Sequence, residues 1–320
     1  MVTHRSGFTL VELAAIVTVA TALAGTLAIG MQTAGDTPAT KDTVAGSPAE
    51  IAQARALSQR MTDATNNRAI VTALITWGTG DNDRFPLPSR FDAKDATVSL
   101  NGRAKDTTAN ILSMMIYNGM VTAEQLISPA EVNPNIKLDE RYQFTDPKAA
   151  MRPAEALWDP GFKADFSKDQ TANNSYAHLQ PSDGRLPRWA PTFNASEPVV
   201  GNRGPELASV ECVEDGLNRW SYAAKLANPE SLTLKIHGPE DSWEGNIAFA
   251  DGHVEFQTRI APDHEQTKPC RWLDYATRDN SKRLDCYFYD ELDDKNGSNA
   301  FLGIFTTAGK SAKDYRAIWD

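Results

Sequence analysis

The sequence has three cysteines in 320 residues and no Cys-x-x-Cys pair, so it offers no thiolate framework for a structural zinc. It has no Gly-x-Ser-x-Gly, P-loop or His-Glu-x-x-His pattern. No Ser or Cys nucleophile can be matched with a base. Basic residues are in deficit, with 32 Lys and Arg against 42 Asp and Glu, for a net charge of −10. They form no cluster, which argues against nucleic acid as a partner, because phosphate binding needs grouped Lys and Arg. Internal repeats and low-complexity tracts are also missing. What remains is the composition of a folded protein, 41% hydrophobic and 23% charged. The length suits one large domain or two small ones.

One long apolar run stands out at the start. From Phe8 to Ile29 the only charged residue is Glu12. At 1.5 Å per residue this run spans about 33 Å, enough to cross a hydrocarbon core. A secretory signal peptide would be shorter and followed by a small-x-small cleavage site. A plain signal anchor would not carry a carboxylate, which costs a few kcal/mol in lipid and normally marks function. His4 and Arg5 fit an expected cytoplasmic N-terminus by the positive-inside rule.

Gly7-Phe8-Thr9-Leu10-Val11-Glu12-Leu13 resembles the processing site of type IV prepilins and type II secretion pseudopilins almost letter for letter. The resemblance implies cleavage after Gly7 by a prepilin peptidase and N-methylation of Phe8. It also implies that Glu12 pairs with the terminal amine of a neighbouring subunit, which makes both charges tolerable in lipid. The expected organisation is a leader at 1–7, a transmembrane helix at 8–31, a linker at 32–47 and an extracytoplasmic head at 48–320. The linker, rich in Thr, Ala, Gly and Pro, departs from the unbroken stalk of an ordinary pilin.

Ser47-Pro48-Ala49-Glu50 reads as a helix start, with Pro at the first helical position. Ile51, Leu57, Met61, Ala64, Arg68, Val71, Leu74 and Ile75 predict a core-packing helix to about Trp77. Further helix is predicted at Ala109–Asn118 and a turn of helix at Ala123–Ile127. Residues 129–230 are rich in Pro, Asn and Asp, with strands expected near Ser175–Leu179 and Thr192–Val200. Leu232–Ile236 alternates like a strand. Asp251-Gly252 between two β-rich runs predicts a hairpin with Asp251 at positive φ. More strand is expected near Tyr287 and at Phe301–Thr306. The predicted fold class is α+β, a long N-terminal helix packed by its second part on an antiparallel sheet.

His237, a spacer, and Gly245-Asn246-Ile247-Ala248-Phe249-Ala250-Asp251-Gly252-His253-Val254 resemble a motif of large-headed bacterial pseudopilin-like proteins. Here the spacer is longer, as though Glu240-Asp241-Ser242-Trp243 were inserted. Asn66-Asn67-Arg68 through Phe85-Pro86 resembles the head of the same family. His237, Asp251 and His253 are candidate metal ligands by type. Asp81 and Asp83, in the turn after the first helix, are candidates for calcium, as is the acidic turn from Asp290 to Gly297. Neither turn has a full ligand loop, and the expectation is a protein without a cofactor. In an exported head, Cys270 and Cys286 are close enough in sequence to pair, which would contribute about 3 kcal/mol in the chain-entropy model. Cys212 would then remain as a buried apolar residue.

The expected function is structural, not enzymatic: a pseudopilin or pilin-like subunit of a type II secretion or type IV pilus-like assembly. Its expected partners are a prepilin peptidase, other pilin-like subunits and the inner membrane, with the head periplasmic or at the cell surface. The alternatives are a membrane-tethered module binding glycan or protein, and a tethered metal-dependent hydrolase centred on His237 and His253.

Overall fold

The computed structural model describes residues 47–214, 220–239, 241–260, 271–272, 283–284, 286–290 and 299–320. Residues Pro48–Asp320 form one compact unit. It opens with helix α1, Pro48–Gly80. Nothing between Ala49 and Trp77 breaks the helix, since the run is rich in Ala, Arg and Gln and free of Gly and Pro. It ends where Asn82 and Asp83 turn the chain at positive φ. Gly78 is needed there, because a Cβ would come within 2.7 Å of the Pro191 ring.

Only the second half of α1 is embedded. Asp63, Asn67, Ile70, Val71, Leu74 and Gly78 are buried and recur at helical spacing along one stripe. Ile51, Leu57 and Met61, expected in the core, are 51%, 57% and 64% exposed. The physical reason is position: these turns precede the sheet, and the helix emerges bare from the unit. No helix among the described residues is long and apolar enough to cross a membrane. The span expected at 8–31 lies outside the described residues.

The fold class is α+β as expected. Two short helices follow α1, namely α2 (Pro88–Phe91) and α3 (Thr108–Tyr117). Strands β1 (Tyr176–Leu179), β2 (Pro198–Asn202), β5 (Gly245–Phe249), β6 (Val254–Gln257) and β9 (Leu302–Gly303) build a five-stranded antiparallel sheet in the order β6-β5-β2-β1-β9. Helix α1 lies against β5, β2 and β6. Smaller pairs are the ribbon β3 (Leu207–Glu214) with β4 (Trp220–Leu226), the parallel pair β7 (Arg271–Trp272) with β8 (Arg283–Leu284), and β10 (Phe305–Thr307) with β11 (Arg316–Ala317).

Two strand expectations fail. Leu232–Lys235 is a turn of 3-10 helix, started by Ser231, whose Oγ accepts from Thr233 N at 3.3 Å. Tyr287 sits in a turn, although its backbone bridges Ile260 and Leu302. The irregular stretch after residue 129 is pinned by side chains that mimic turns. Asn133, Asp159, Asp165 and Asn228 each accept a backbone N–H two residues on, at 2.7–3.0 Å.

His178, on β1, is buried between Trp189 and Phe305. Its Nδ1–H donates to Leu179 O at 2.9 Å and its Nε2 accepts from Thr108 Oγ1 at 2.8 Å. Thr108 Oγ1 in turn accepts Phe305 N–H at 2.7 Å. The ring borders a cavity of about 10 Å³ lined by Ile70, Leu74, Leu112 and Trp189, room for one water at most. Burial pushes the imidazole down to about 4, only partly opposed by the Leu179 carbonyl. Between that value and the unfolded 6.5 the unfolded chain binds a proton that the folded one refuses. Stability from this residue is therefore complete above pH 6.5 and lost as pH falls through about 4, a change on the order of 3 kcal/mol. Urea midpoints measured at pH 7 and pH 4.5 should fall more steeply for the wild type than for His178→Gln; equal slopes would contradict this account.

Candidate functional site

The densest buried polar centre forms where α1 enters the unit. Asp63 is fully buried on the core stripe of the helix. Its Oδ2 accepts from Asn202 Nδ2 at 2.7 Å, from His237 Nε2 at 2.6 Å and from Ser128 Oγ at 3.0 Å. Its Oδ1 accepts from the Tyr176 hydroxyl. Burial, reinforced by the neighbouring Asp63 carboxylate, pushes the Tyr176 phenol well above its ordinary value, so it stays a donor. Asn66 Nδ2 reaches the same hydroxyl at 3.2 Å. One carboxylate thus joins α1, the segment after residue 127, β1, β2 and the loop that carries His237.

A second layer surrounds this centre. Asn202 Oδ1 accepts Asn246 N–H at 2.7 Å, and Asn246 Nδ2 reaches Arg60 O at 3.3 Å. The Arg60 guanidinium covers the Phe256 ring at 3.2 Å, and the His237 ring meets the same phenyl edge-on at 5.9 Å. Trp243 Nε1 donates to Arg203 O at 2.9 Å, which fixes the far end of the loop after His237.

Chemically, this centre is saturated. Both oxygens of Asp63 are occupied by protein donors. No serine, threonine or cysteine side chain bonds to His237 among the described residues. The arrangement orients His237 and ties α1 to β1 and β2.

A second buried cluster surrounds Arg203. Its Nη2 and Nε bind Glu131 at 2.7 and 3.1 Å, and its Nη1 binds Asp320 at 2.5 Å and Thr233 Oγ1 at 2.7 Å. Asp320 Oδ1 also accepts from Ser231 Oγ at 2.7 Å and Thr233 Oγ1 at 2.8 Å.

The residues singled out from sequence fall apart into separate pairs. His237 joins Asp63 rather than Asp251 or His253. Asp251 and His253 pair with each other at the exposed hairpin tip, Nδ1 to Oδ1 at 2.5 Å, with the His253 ring stacked on Phe249 at 4.5 Å. Burial acts to raise the Asp251 carboxyl, but the bonds from His253 outweigh it and the net direction is down. The turn also differs from expectation: Gly252 is at φ +89, while Asp251 is not among the positive-φ residues. The loop is Ala250-Asp251-Gly252, closed by Gly252 N–H to Phe249 O at 2.9 Å, so glycine alone carries the left-handed position. Asp81 is held by Arg90 at 2.7 Å, and Asp83 is exposed in its turn at φ 54. Asp290 pairs with Arg185. Among the described residues no three His, Cys, Asp or Glu side chains converge as a metal site. Cys286 is buried with Sγ 3.4 Å from Ile260 O, whereas Cys270 lies outside the described residues, as do Gly7, Phe8 and Glu12.

Sequence reasoning missed Asp63, Tyr176 and Asn202. Asp63 had a signal: it falls four residues before Asn67 and seven before Ile70 on the core stripe, where a carboxylate demands partners. Tyr176 and Asn202 carried no local mark. No protein-family model matches the chain, and no curated protein and no solved structure matches it.

Proposed function

We propose that the protein is a pilin-like or pseudopilin subunit of a type II secretion or type IV pilus-like assembly. A prepilin peptidase cuts after Gly7, and the helix from Phe8 onward anchors the chain in the inner membrane. Glu12 pairs with the terminal amine of a neighbouring subunit. The subunit acts by assembly and not by catalysis.

The observation that carries the reading is the junction of two features. The start of the chain holds the Gly7–Leu13 motif and an apolar run with one carboxylate. The unit that follows begins with a helix whose first turns are bare and whose second half lies on an antiparallel sheet. Ala54, Leu57, Met61 and Ala64 recur at three- and four-residue steps on the side of α1 away from Asp63, Ile70 and Leu74. Such a face suits packing against a neighbouring helix.

The test is mass spectrometry of the mature N-terminus after co-expression with a prepilin peptidase. The expected product begins at Phe8 and carries an N-methyl group. A chain that keeps residues 1–7 in the presence of active peptidase would overturn the proposal.

A further inference from the structure

Asn-Gly occurs three times in the chain, at Asn101-Gly102, Asn118-Gly119 and Asn296-Gly297. The last pair lies outside the described residues. An asparagine before glycine can react with its own backbone, because glycine has no Cβ to shield its nitrogen. The first two pairs are identical in sequence and both exposed. Their backbone settings are not alike.

Asn118 closes α3, and Gly119 takes the left-handed position at φ +67. Gly119 N–H donates to Ile116 O at 2.9 Å and Met120 N–H to Met115 O at 3.0 Å, the two bonds of a Schellman cap. The side chain is held as well, with Asn118 Nδ2 donating to Met114 O at 2.8 Å. Both the backbone nitrogen that would attack and the amide that would leave are therefore engaged.

Asn101 stands ahead of a single 3-10 turn, Gly102–Lys105. Its carbonyl accepts Ala104 N–H at 3.1 Å. Its side-chain amide and the Gly102 N–H meet no partner among the described residues. A Cβ at Gly102 would meet only open space. The residues beyond are pinned: Arg103 Nε to Asp106 at 3.1 Å, and Lys105 Nζ to Asp92 at 2.9 Å and Asp95 at 2.5 Å. The 101–102 peptide can thus rotate from its extended ψ of 127 for the loss of one hydrogen bond, while the rest of the turn stays clamped.

We propose that Asn101 is a site of spontaneous deamidation, a covalent modification that the fold permits there and suppresses at Asn118. The Gly102 nitrogen gives its proton to solvent base and attacks Asn101 Cγ. The Cγ–Nδ2 bond breaks, ammonia leaves, and a five-membered succinimide forms. Water then opens the ring at either carbonyl, giving aspartate or isoaspartate. Water enters and ammonia leaves, with no change of oxidation state. The product carries a new carboxylate two residues before Arg103, and its isoaspartyl form lengthens the main chain by one methylene. The inference rests on local geometry and stands whether or not the chain is processed after Gly7.

The test ages the full chain in detergent micelles at mildly alkaline pH, with and without denaturing urea, and follows tryptic fragments by mass spectrometry. The fragment from Asp95 to Arg103 should gain about one mass unit as the amide becomes a carboxyl, and should separate into aspartyl and isoaspartyl forms. In the folded chain Asn118 should react at least about tenfold more slowly, because its ring closure breaks two further hydrogen bonds. In urea the two rates should converge. An unmodified Asn101, equal rates at the two sites in the folded chain, or a preference for Asn101 that persists in urea would each overturn the inference.

Discussion

Asp63→Ala should destabilise residues 48–320 by about 3–5 kcal/mol, the range seen when one partner of a buried charged network is removed. The change takes the acceptor away from Tyr176, Asn202, His237 and Ser128 together. Each buried donor left without a partner costs about 1–3 kcal/mol, and the small cavity left by alanine cannot hydrate all four. Asp63→Asn is the sharper control. It keeps the shape and one acceptor oxygen but points two hydrogens at existing donors, so it should fall between wild type and alanine. Urea unfolding followed by tryptophan fluorescence reads both. An alanine variant within about 1 kcal/mol of wild type would mean that the centre is not what holds α1 to the sheet.

Arg203→Leu is the second large effect, expected at about 3–5 kcal/mol near neutral pH. Arg203 is 3% exposed, and its loss strands the buried carboxylates of Glu131 and Asp320 side by side. The cost should depend on pH. In the wild type, burial acts to raise the Asp320 carboxyl, but Arg203 and the hydroxyls of Ser231 and Thr233 more than offset it, and the net direction is down. A lowered carboxyl contributes stability that is present above the unfolded value near 4 and lost as pH falls below it. Without the guanidinium, burial is opposed only by the Ser231 and Thr233 hydroxyls, and Asp320 takes up its proton at higher pH. The gap between wild type and Arg203→Leu should therefore be widest at pH 7 and narrow toward pH 4. The His178 contribution is common to both chains and cancels from this difference. A gap that stays constant over that range would show that the loss is packing against Phe166, 5.2 Å from the guanidinium, and not charge.

The sequence made some of this readable and hid the rest for identifiable reasons. The β5–β6 hairpin was plain because two alternating runs flank Asp251-Gly252, yet the turn geometry was not, since the same dipeptide serves a three-residue loop. Helix α1 was plain from its lack of breakers. Its buried length was not, because propensity says nothing about where the sheet begins. Leu232–Ile236 alternates like a strand but curls, because Ser231 and Thr233 bond to Asp320, almost ninety residues away. The β3–β4 ribbon was missed, although Leu207–Glu214 and Trp220–Leu226 pair over seven positions. The candidate site was half visible. His237 was picked out by its motif, but its partner Asp63 lies 174 positions earlier, beyond any local pattern.

A helix that is bare for about three turns and then clasped behaves as a shaft set in a socket. Pro48–Thr62 extends the shaft about 22 Å beyond Asp63. Tension drawn along that axis is met at Gln59 and Arg60, bonded to Pro129 O and Asn246, and then at Asp63. There the grip comes from four donors on one carboxylate, supplied by β1, β2, the His237 loop and the segment after residue 127. The same carboxylate that fixes the fold thus sits where a tug on the shaft would be felt.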